Sequence, residues 1–259
     1  MPLSNTLTYN RDTTIAAITS YYDFLTKLYM PASAVMHSPD SGWPSITSTT
    51  FAALGKTDEV VDLLRHLPYI DRIADVPCAP HCYFADYSTG IDEGTRELTE
   101  PYEGTVEPHV VGLTLGGRDN LIFLLDTKLG VVHWVDCPSE LTTSREQVMF
   151  VKEDEQGEEE NDADDEHDEE EEESWRDNAP AWTAEDFFEL LKEEYLAMNF
   201  VPTSAKEVFD VYSAYADEDK DLVPNLQQVL REHGWPDVEN FRKEECLKAL
   251  ERTASAYLP

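Results

Sequence analysis

Residues 109–135 read HVVGLTLGGRDNLIFLLDTKLGVVHWV, which is three apolar and β-branched runs separated by two turn sequences. The turns lie at residues 116–119 (Gly-Gly-Arg-Asp) and 126–130 (Asp-Thr-Lys-Leu-Gly). Short apolar runs between turns of this composition are typical of antiparallel strands. The segment therefore predicts a three-stranded meander, to which residues 147–151 can add a fourth strand and residues 82–87 an earlier one.

Helical patterns precede this meander. Apolar side chains recur at helical spacing over residues 13–30, after Asp12 as a possible N-cap and before Pro31. A second helix is expected to begin after Thr57, whose hydroxyl can cap it, and to end before Pro68.

Helical patterns also follow the meander. Thr183 and Asp186 are placed as a capping box, and the residues after them form a wide apolar stripe. Further helices are predicted over residues 204–215, 225–233 and 237–257, so that the last third of the chain is expected to be all helix. The predicted fold class is α+β, a mainly antiparallel sheet covered by N- and C-terminal helices.

An acidic run at residues 153–173 interrupts this pattern, since sixteen of its twenty-one residues are Asp or Glu and none is Lys or Arg. Repulsion at this charge density opposes burial, so residues 153–178 are predicted to be a disordered loop. The run is interpreted either as a solubilising loop or as an attractor of basic partners. The ordered parts are then residues 1–152 and 179–259, expected to pack as one domain.

The formal net charge is −35. The charge therefore argues against nucleic acid and anionic membranes as partners, since both are recognised through clustered cations, whereas a basic protein is electrostatically permitted. The N-terminus lacks the pattern of a signal peptide, and the four cysteines are too scattered for a secreted disulfide framework. We expect a protein of the cytosol or nucleus with reduced thiols.

Two segments resemble metal sites. Cys78, His81 and Cys82 carry zinc-binding atoms, and His133 with Cys137 repeats the spacing, but the tight C-x-x-C knuckle is missing and buried cysteines are the favoured interpretation. Residues 217–221 alternate carboxylates as in the first half of a calcium loop, yet the glycine and glutamate that complete such a loop are lacking. The sequence predicts neither a metal nor a cofactor.

The catalytic candidates are His133, Asp126, Asp136 and His109. His133 beside Asp136 is the pattern of a base and its orienting carboxylate, although neighbours on a strand point to different faces. The motifs of nucleophile elbows and of phosphate-binding loops do not occur in the sequence.

The binding candidates are Trp43, Trp235, Arg65 and His66. Each tryptophan lies in a Gly-Trp-Pro triplet, where an ordered loop pinned by the ring is favoured over a binding aromatic. Arg65 and His66 interrupt an apolar helix end, and their simplest role is to complement the helix dipole.

Several of these segments resemble an uncharacterised family of fungal proteins. They are residues 21–25 (YYDFL), 42–44 (GWP), 63–70 (LLRHLPYI), 233–236 (HGWP) and 242–247 (RKEECL). The resemblance implies one domain and transfers no activity or catalytic residues. The meander from Leu124 to Val135, followed by a helix, is also similar to the SUKH superfamily of immunity proteins and fungal cell-wall-signalling regulators, although the Asn-Gly-Gly segment usual after the first helix is absent.

Three functions remain open from the sequence. The leading hypothesis is a non-catalytic interaction or regulatory protein. The alternatives are a small-molecule enzyme or accessory protein of metabolism, and an acidic chaperone for basic proteins.

Overall fold

The computed structural model describes residues 7–100, 106–116, 120–143, 145–148, 175–176, 179–212 and 221–257. The predicted acidic loop lies outside these residues almost entirely, as does most of the calcium-like segment. The strands are β1 (Val35–Met36), β2 (Tyr69–Ile70), β3 (Val110–Gly112), β4 (Ile122–Asp126), β5 (Val131–Val135), β6 (Ala181–Thr183), β7 (Phe200–Ser204) and β8 (Glu207–Asp210). The helices are α1 (Arg11–Leu28), α2 (Asp58–His66), α3 (Thr95–Thr99), α4 (Ala184–Leu196), α5 (Leu222–Glu232) and α6 (Lys243–Ala254).

The central sheet has the order β3-β4-β5-β6 and is antiparallel throughout, which confirms the α+β class and the meander. Its fourth strand differs from the prediction, because β6 and not residues 147–151 pairs with β5. Residues 145–148 lie on the other side of β6, where the Val148 N–H donates to the Ala181 carbonyl at 2.8 Å. Residues 149–151 lie outside the described residues. Residues 83–85 do add to the sheet, through a bridge between Phe84 and Thr114 next to β3.

Alternation along the strands gives the sheet two different faces. One face packs against α4 in the main core, where the Phe187 ring lies 4.8 Å from Phe123 and 6.2 Å from Trp134. Helix α1 packs behind it, with Tyr21 5.4 Å from Phe188. The opposite face carries a smaller apolar cluster, built on Val106, Val110 and Leu124 with Trp175 against it.

Side chains at the helix starts explain the observed boundaries. Thr57 and Thr183 accept hydrogen bonds from Val60 N and Asp186 N, as predicted for α2 and α4. For α1 the predicted cap was wrong, because Asn10 rather than Asp12 accepts the Thr13 N–H, at 3.0 Å. The helix consequently begins before Asp12 and ends at Leu28.

The helix predicted over residues 204–215 is wrong, and so is an all-helical last third. β7 and β8 form an antiparallel hairpin there, in which Val201 pairs with Phe209 and Pro202 with Val208. Val208 and Phe209 fit the apolar pattern of either a helix face or a strand. They form a strand because β7, which precedes them, pairs with them. Helix α6 also begins later than predicted, at Lys243, because Asp237 closes a turn by accepting the Asn240 amide at 2.7 Å.

Among the described residues, no helix combines the length and the apolar character needed to cross a membrane.

Candidate functional site

Asp126 and His109, two of the catalytic candidates, do meet at the end of the meander. The Asp126 carboxylate is 1% exposed, and its Oδ1 accepts the backbone N–H groups of Lys128 and Leu129 at 2.8 and 3.0 Å. Its Oδ2 accepts a hydrogen bond from Arg176 at 3.2 Å and lies 3.6 Å from His109 Nε2. Both oxygens are therefore engaged, so the contacts of Asp126 are those of a residue that shapes a turn and anchors Arg176.

Arg176 extends this cluster on the outer face of the sheet. Its guanidinium also pairs with Glu107 and lies 4.3 Å from the centre of the Trp175 ring. The residues that follow the acidic run are thus fastened to the sheet by an ion-pair network and a stacked arginine.

His133 is fully buried beneath Trp175, with the two rings 5.0 Å apart and nearly perpendicular. Its Nδ1 lies 3.2 Å from the Ala179 carbonyl oxygen, and burial lowers the pKa of the imidazole. The charges that act on that pKa are Arg176, Asp126 and Glu107, whereas Asp136 is exposed beyond the end of β5. His133 therefore lies within the electrostatic reach of Asp126, whereas Asp136 is not among the charges that act on it.

Cys78, His81 and Cys82 do not converge on one point. Both thiols are buried, and burial raises the pKa of Cys78 to about 12 and that of Cys82 well above its ordinary value. His81 is exposed at a left-handed residue (φ 48°). In the part of the chain described, no cluster of three or more His, Cys, Asp or Glu is arranged to hold a metal ion.

The two tryptophans pin separate loops to the core. Trp43 donates its indole N–H to the Leu67 carbonyl at 2.8 Å, and Trp235 donates to the Tyr195 carbonyl at 2.9 Å. Trp235 is only 3% exposed, so it presents no surface to a partner, while Trp43 is half-buried against Tyr69.

Arg65 and His66 are the last residues of α2, and the side chain of each contacts a backbone carbonyl group. Arg65 Nε donates to the Ser41 carbonyl at 3.1 Å, and its side chain fills the space beside Gly42. His66 Nδ1 lies 2.8 Å from the Asp62 carbonyl oxygen. The contacts of Arg65 join the Gly-Trp-Pro loop to the helix end, whereas that of His66 lies within α2.

A surface groove lies elsewhere, at a place that no sequence motif marks. Two adjoining clefts of about 210 Å³ each share Arg72 and Leu115, and together they form what we call the Arg72 groove. One cleft is walled by residues 85–92 and by α3. The other lies between the residues that follow β2 and the paired segment at Tyr83 and Phe84.

Exposed apolar side chains accompany the groove. Ile73, next to Arg72, is 90% exposed, and Leu98, in the wall of the first cleft, is 47% exposed. Of the large apolar side chains described, only Leu196 and Tyr257 reach comparable exposure, at 36% and 37%. Apolar surface beside a cleft is a common property of binding sites.

Of the carboxylates that line the groove, that of Asp86 is buried. Asp86 lines the first cleft and is 8% exposed, and its Oδ1 accepts hydrogen bonds from the Ser88 backbone and hydroxyl at 2.9 and 2.5 Å. Its Oδ2 accepts no hydrogen bond from the described residues. A buried carboxylate with one unsatisfied oxygen is costly unless a ligand or water completes it.

Comparison of the chain with protein-family models, curated proteins and solved structures gives no match. Function is therefore inferred from the groove and from the roles of the buried polar residues.

The sequence predictions missed this groove because its walls come from four separate segments. The one local signal was Ile73, a large apolar residue within Asp71-Arg72-Ile73-Ala74-Asp75, where the neighbouring charges favour exposure. Most of the residues that the motifs suggested as site candidates, such as Trp235 and Asp126, form contacts within the fold and do not line the groove.

Proposed function

We propose that this chain is a non-catalytic protein that acts by binding a protein partner at the Arg72 groove. The observation that carries the proposal is that two clefts meet at Arg72 while Leu98, which lines the first cleft, and Ile73, which follows Arg72 in the chain, are both exposed. Burying these side chains against a partner would remove apolar surface from water, at about 25 cal/mol per Å². A regulatory role is also what the resemblance to the SUKH superfamily implies.

The placement of the catalytic candidates favours this proposal over an enzyme. Asp126 uses both oxygens within the fold, and His133 is enclosed under Trp175. A general base must reach a substrate proton, and neither group does so without first breaking its present contacts.

The charge around the groove favours a basic partner. Asp71, Asp75, Asp86 and Asp92 line its two clefts, against the single cation Arg72 among the lining residues. The net charge of −35 adds a long-range attraction for cationic proteins that salt weakens. The proposed setting is the cytosol or nucleus of a fungal cell.

The test is affinity capture from fungal cytosol with the full chain immobilised, followed by elution with a salt gradient. The double variant Ile73→Ser/Leu98→Ser alters the groove, and Leu196→Ser is the matched control because it removes a leucine of similar exposure elsewhere. A further version lacks residues 153–173. We expect a discrete protein to be retained by the wild type, the control and the deletion, and to be lost by the double variant.

Three results would contradict the proposal. Capture that the double variant retains would place the contact outside the groove. Loss only with residues 153–173 would instead favour an acidic chaperone. Capture of no protein dependent on Ile73 and Leu98 would remove the support for an interaction function.

A further inference from the structure

We propose that the cleft at Asp86 receives one lysine side chain of the partner, whose ammonium pairs with Asp86 Oδ2. This inference rests on the function proposed above and specifies its chemistry. The groove would then recognise a lysine side chain within a partly apolar segment of the partner protein.

The carboxylate of Asp86 provides the main evidence. It is more than nine-tenths buried, and its two oxygens have different surroundings. Oδ1 is occupied by Ser88, while Oδ2 has no hydrogen-bond partner among the described residues. An ammonium group would supply both a hydrogen-bond donor for Oδ2 and a positive charge to balance the carboxylate.

The surrounding cleft suits the rest of a lysine side chain. Leu98 and Leu115 are part of its wall and can contact the methylene groups, while Thr95 and Asp92 supply polar atoms. Arg72 is exposed and forms no ion pair among the described residues, so it does not satisfy Asp86. Oδ2 exposes less than 1 Å² of surface, so the lysine reaches it only if the atoms that cover this oxygen move aside.

The geometry favours lysine over arginine. Arginine binds a carboxylate most strongly through two parallel hydrogen bonds, which require both oxygens. Since Ser88 already donates two hydrogen bonds to Oδ1, only one oxygen remains. The ammonium of lysine is a compact donor that pairs well with a single oxygen.

The test uses small probes, so that it does not depend on identifying the partner. Nα-acetyl-lysine methylamide is titrated into the full ¹⁵N-labelled chain, and the amide signals of Ser88, Thr89 and Gly90 are followed. The arginine, norleucine and Nε-acetyl-lysine analogues are compared at equal ionic strength. We expect saturable shifts with the lysine probe, weaker shifts with arginine, and none with the two uncharged analogues.

Asp86→Asn is the matching variant, because its side-chain oxygen can still accept the Ser88 hydrogen bonds. It is expected to abolish the shifts, whereas Glu251→Gln, which removes an equal charge from an exposed site on α6, is expected to preserve them. Asp86→Asn is also expected to raise the melting temperature, because it removes a buried negative charge that forms no ion pair and is hydrogen-bonded at one oxygen alone among the described residues. A carboxylate with a purely structural role would show the opposite change.

Equal shifts from lysine and norleucine, or lysine binding that survives Asp86→Asn, would overturn the inference. The same variant separates it from the proposed function. A partner that is lost with Ile73→Ser/Leu98→Ser but retained by Asp86→Asn would preserve the groove as an interaction site and reject the lysine. Lysine binding in the absence of any groove-dependent partner would support the lysine site and reject the proposed interaction function.

Discussion

At the scale of single residues, His133 shows how burial fixes a protonation state. Its Nδ1 faces the Ala179 carbonyl at 3.2 Å, and because a carbonyl oxygen only accepts, this nitrogen carries the hydrogen. The residue is fully buried, which lowers the pKa of the imidazole below its ordinary 6.5. The folded chain therefore resists a proton that the unfolded chain accepts.

Acid is consequently expected to destabilise the fold through His133. As the pH falls below about 6.5, the unfolded state gains this proton before the folded state does, so the free energy of unfolding decreases. Urea unfolding of the wild type and of His133→Gln at about pH 7.5 and about pH 5.5 measures this contribution, since the glutamine cannot titrate. The variant should lose less stability on acidification.

His37→Gln is the control, because His37 is exposed and its removal leaves the buried imidazole in place. It should keep the full pH dependence. If His133→Gln also keeps it, another group is responsible for the acid sensitivity.

At the scale of elements, the short helix α3 is joined to the residues that precede α2 by a buried ion pair. Glu100, just after the helix, contacts the ammonium of Lys56, and both side chains are almost completely enclosed. Arg96 donates to the second oxygen of Glu100 at 3.1 Å. Close by, Gly112 allows the Thr99 carbonyl to approach β3, because a Cβ at this position would overlap that oxygen.

Glu100→Gln is expected to lower the free energy of unfolding by about 3 kcal/mol, because it leaves the Lys56 ammonium buried without a counter-charge. The double variant Lys56→Met/Glu100→Gln should be more stable than Glu100→Gln alone, since it also removes the buried cation. Denaturant unfolding of the wild type, both single variants and the double variant measures this coupling. Independent, additive effects would show that the two side chains do not act as a pair.

Elements that carry their own boundary signals were predictable from the sequence. Thr57 and Thr183 cap α2 and α4 through bonds to residues three positions later, so the signal and its partner lie in one short segment. The β7–β8 hairpin was not predictable in this way, because Val208 and Phe209 fit both periodicities. Their pairing with Pro202 and Val201 decides between them.

At the scale of the whole molecule, enclosure of the thiols limits stability in alkali. Cys78 is fully buried, and burial raises the pKa of its thiol from 9.0 to about 12. Between these values the unfolded chain releases a proton that the folded chain keeps. The free energy of unfolding is therefore expected to fall as the pH rises above about 9.

Cys78→Ala isolates this contribution. The free energies of unfolding of the wild type and the variant are compared at about pH 8 and about pH 10, and the wild-type advantage should shrink by about 1.4 kcal/mol at the higher pH. Tyrosine ionisation is common to both chains and cancels in the comparison. A constant difference would mean that the Cys78 thiol ionises equally in both states.

The candidate site was less predictable than the fold. Trp235 and Asp126 stand out in the sequence, yet the first is 3% exposed and the second uses both oxygens within the fold. Asp86 stands out in no motif. Its hydrogen bonds come from Ser88, two residues later in the chain, whereas the cleft that it lines is built from segments that are distant in the chain.

The sequence by itself determined the antiparallel meander, the caps of α2 and α4, and the strong negative charge, because each depends on residues that are neighbours in the chain. Only the tertiary structure decided that residues 200–210 form a hairpin and that β6 completes the sheet. It also decided that Arg72, Asp86 and Leu98 share one groove. The physical reason is that burial, pairing partners and cavities are properties of distant segments brought together, which local periodicity does not encode.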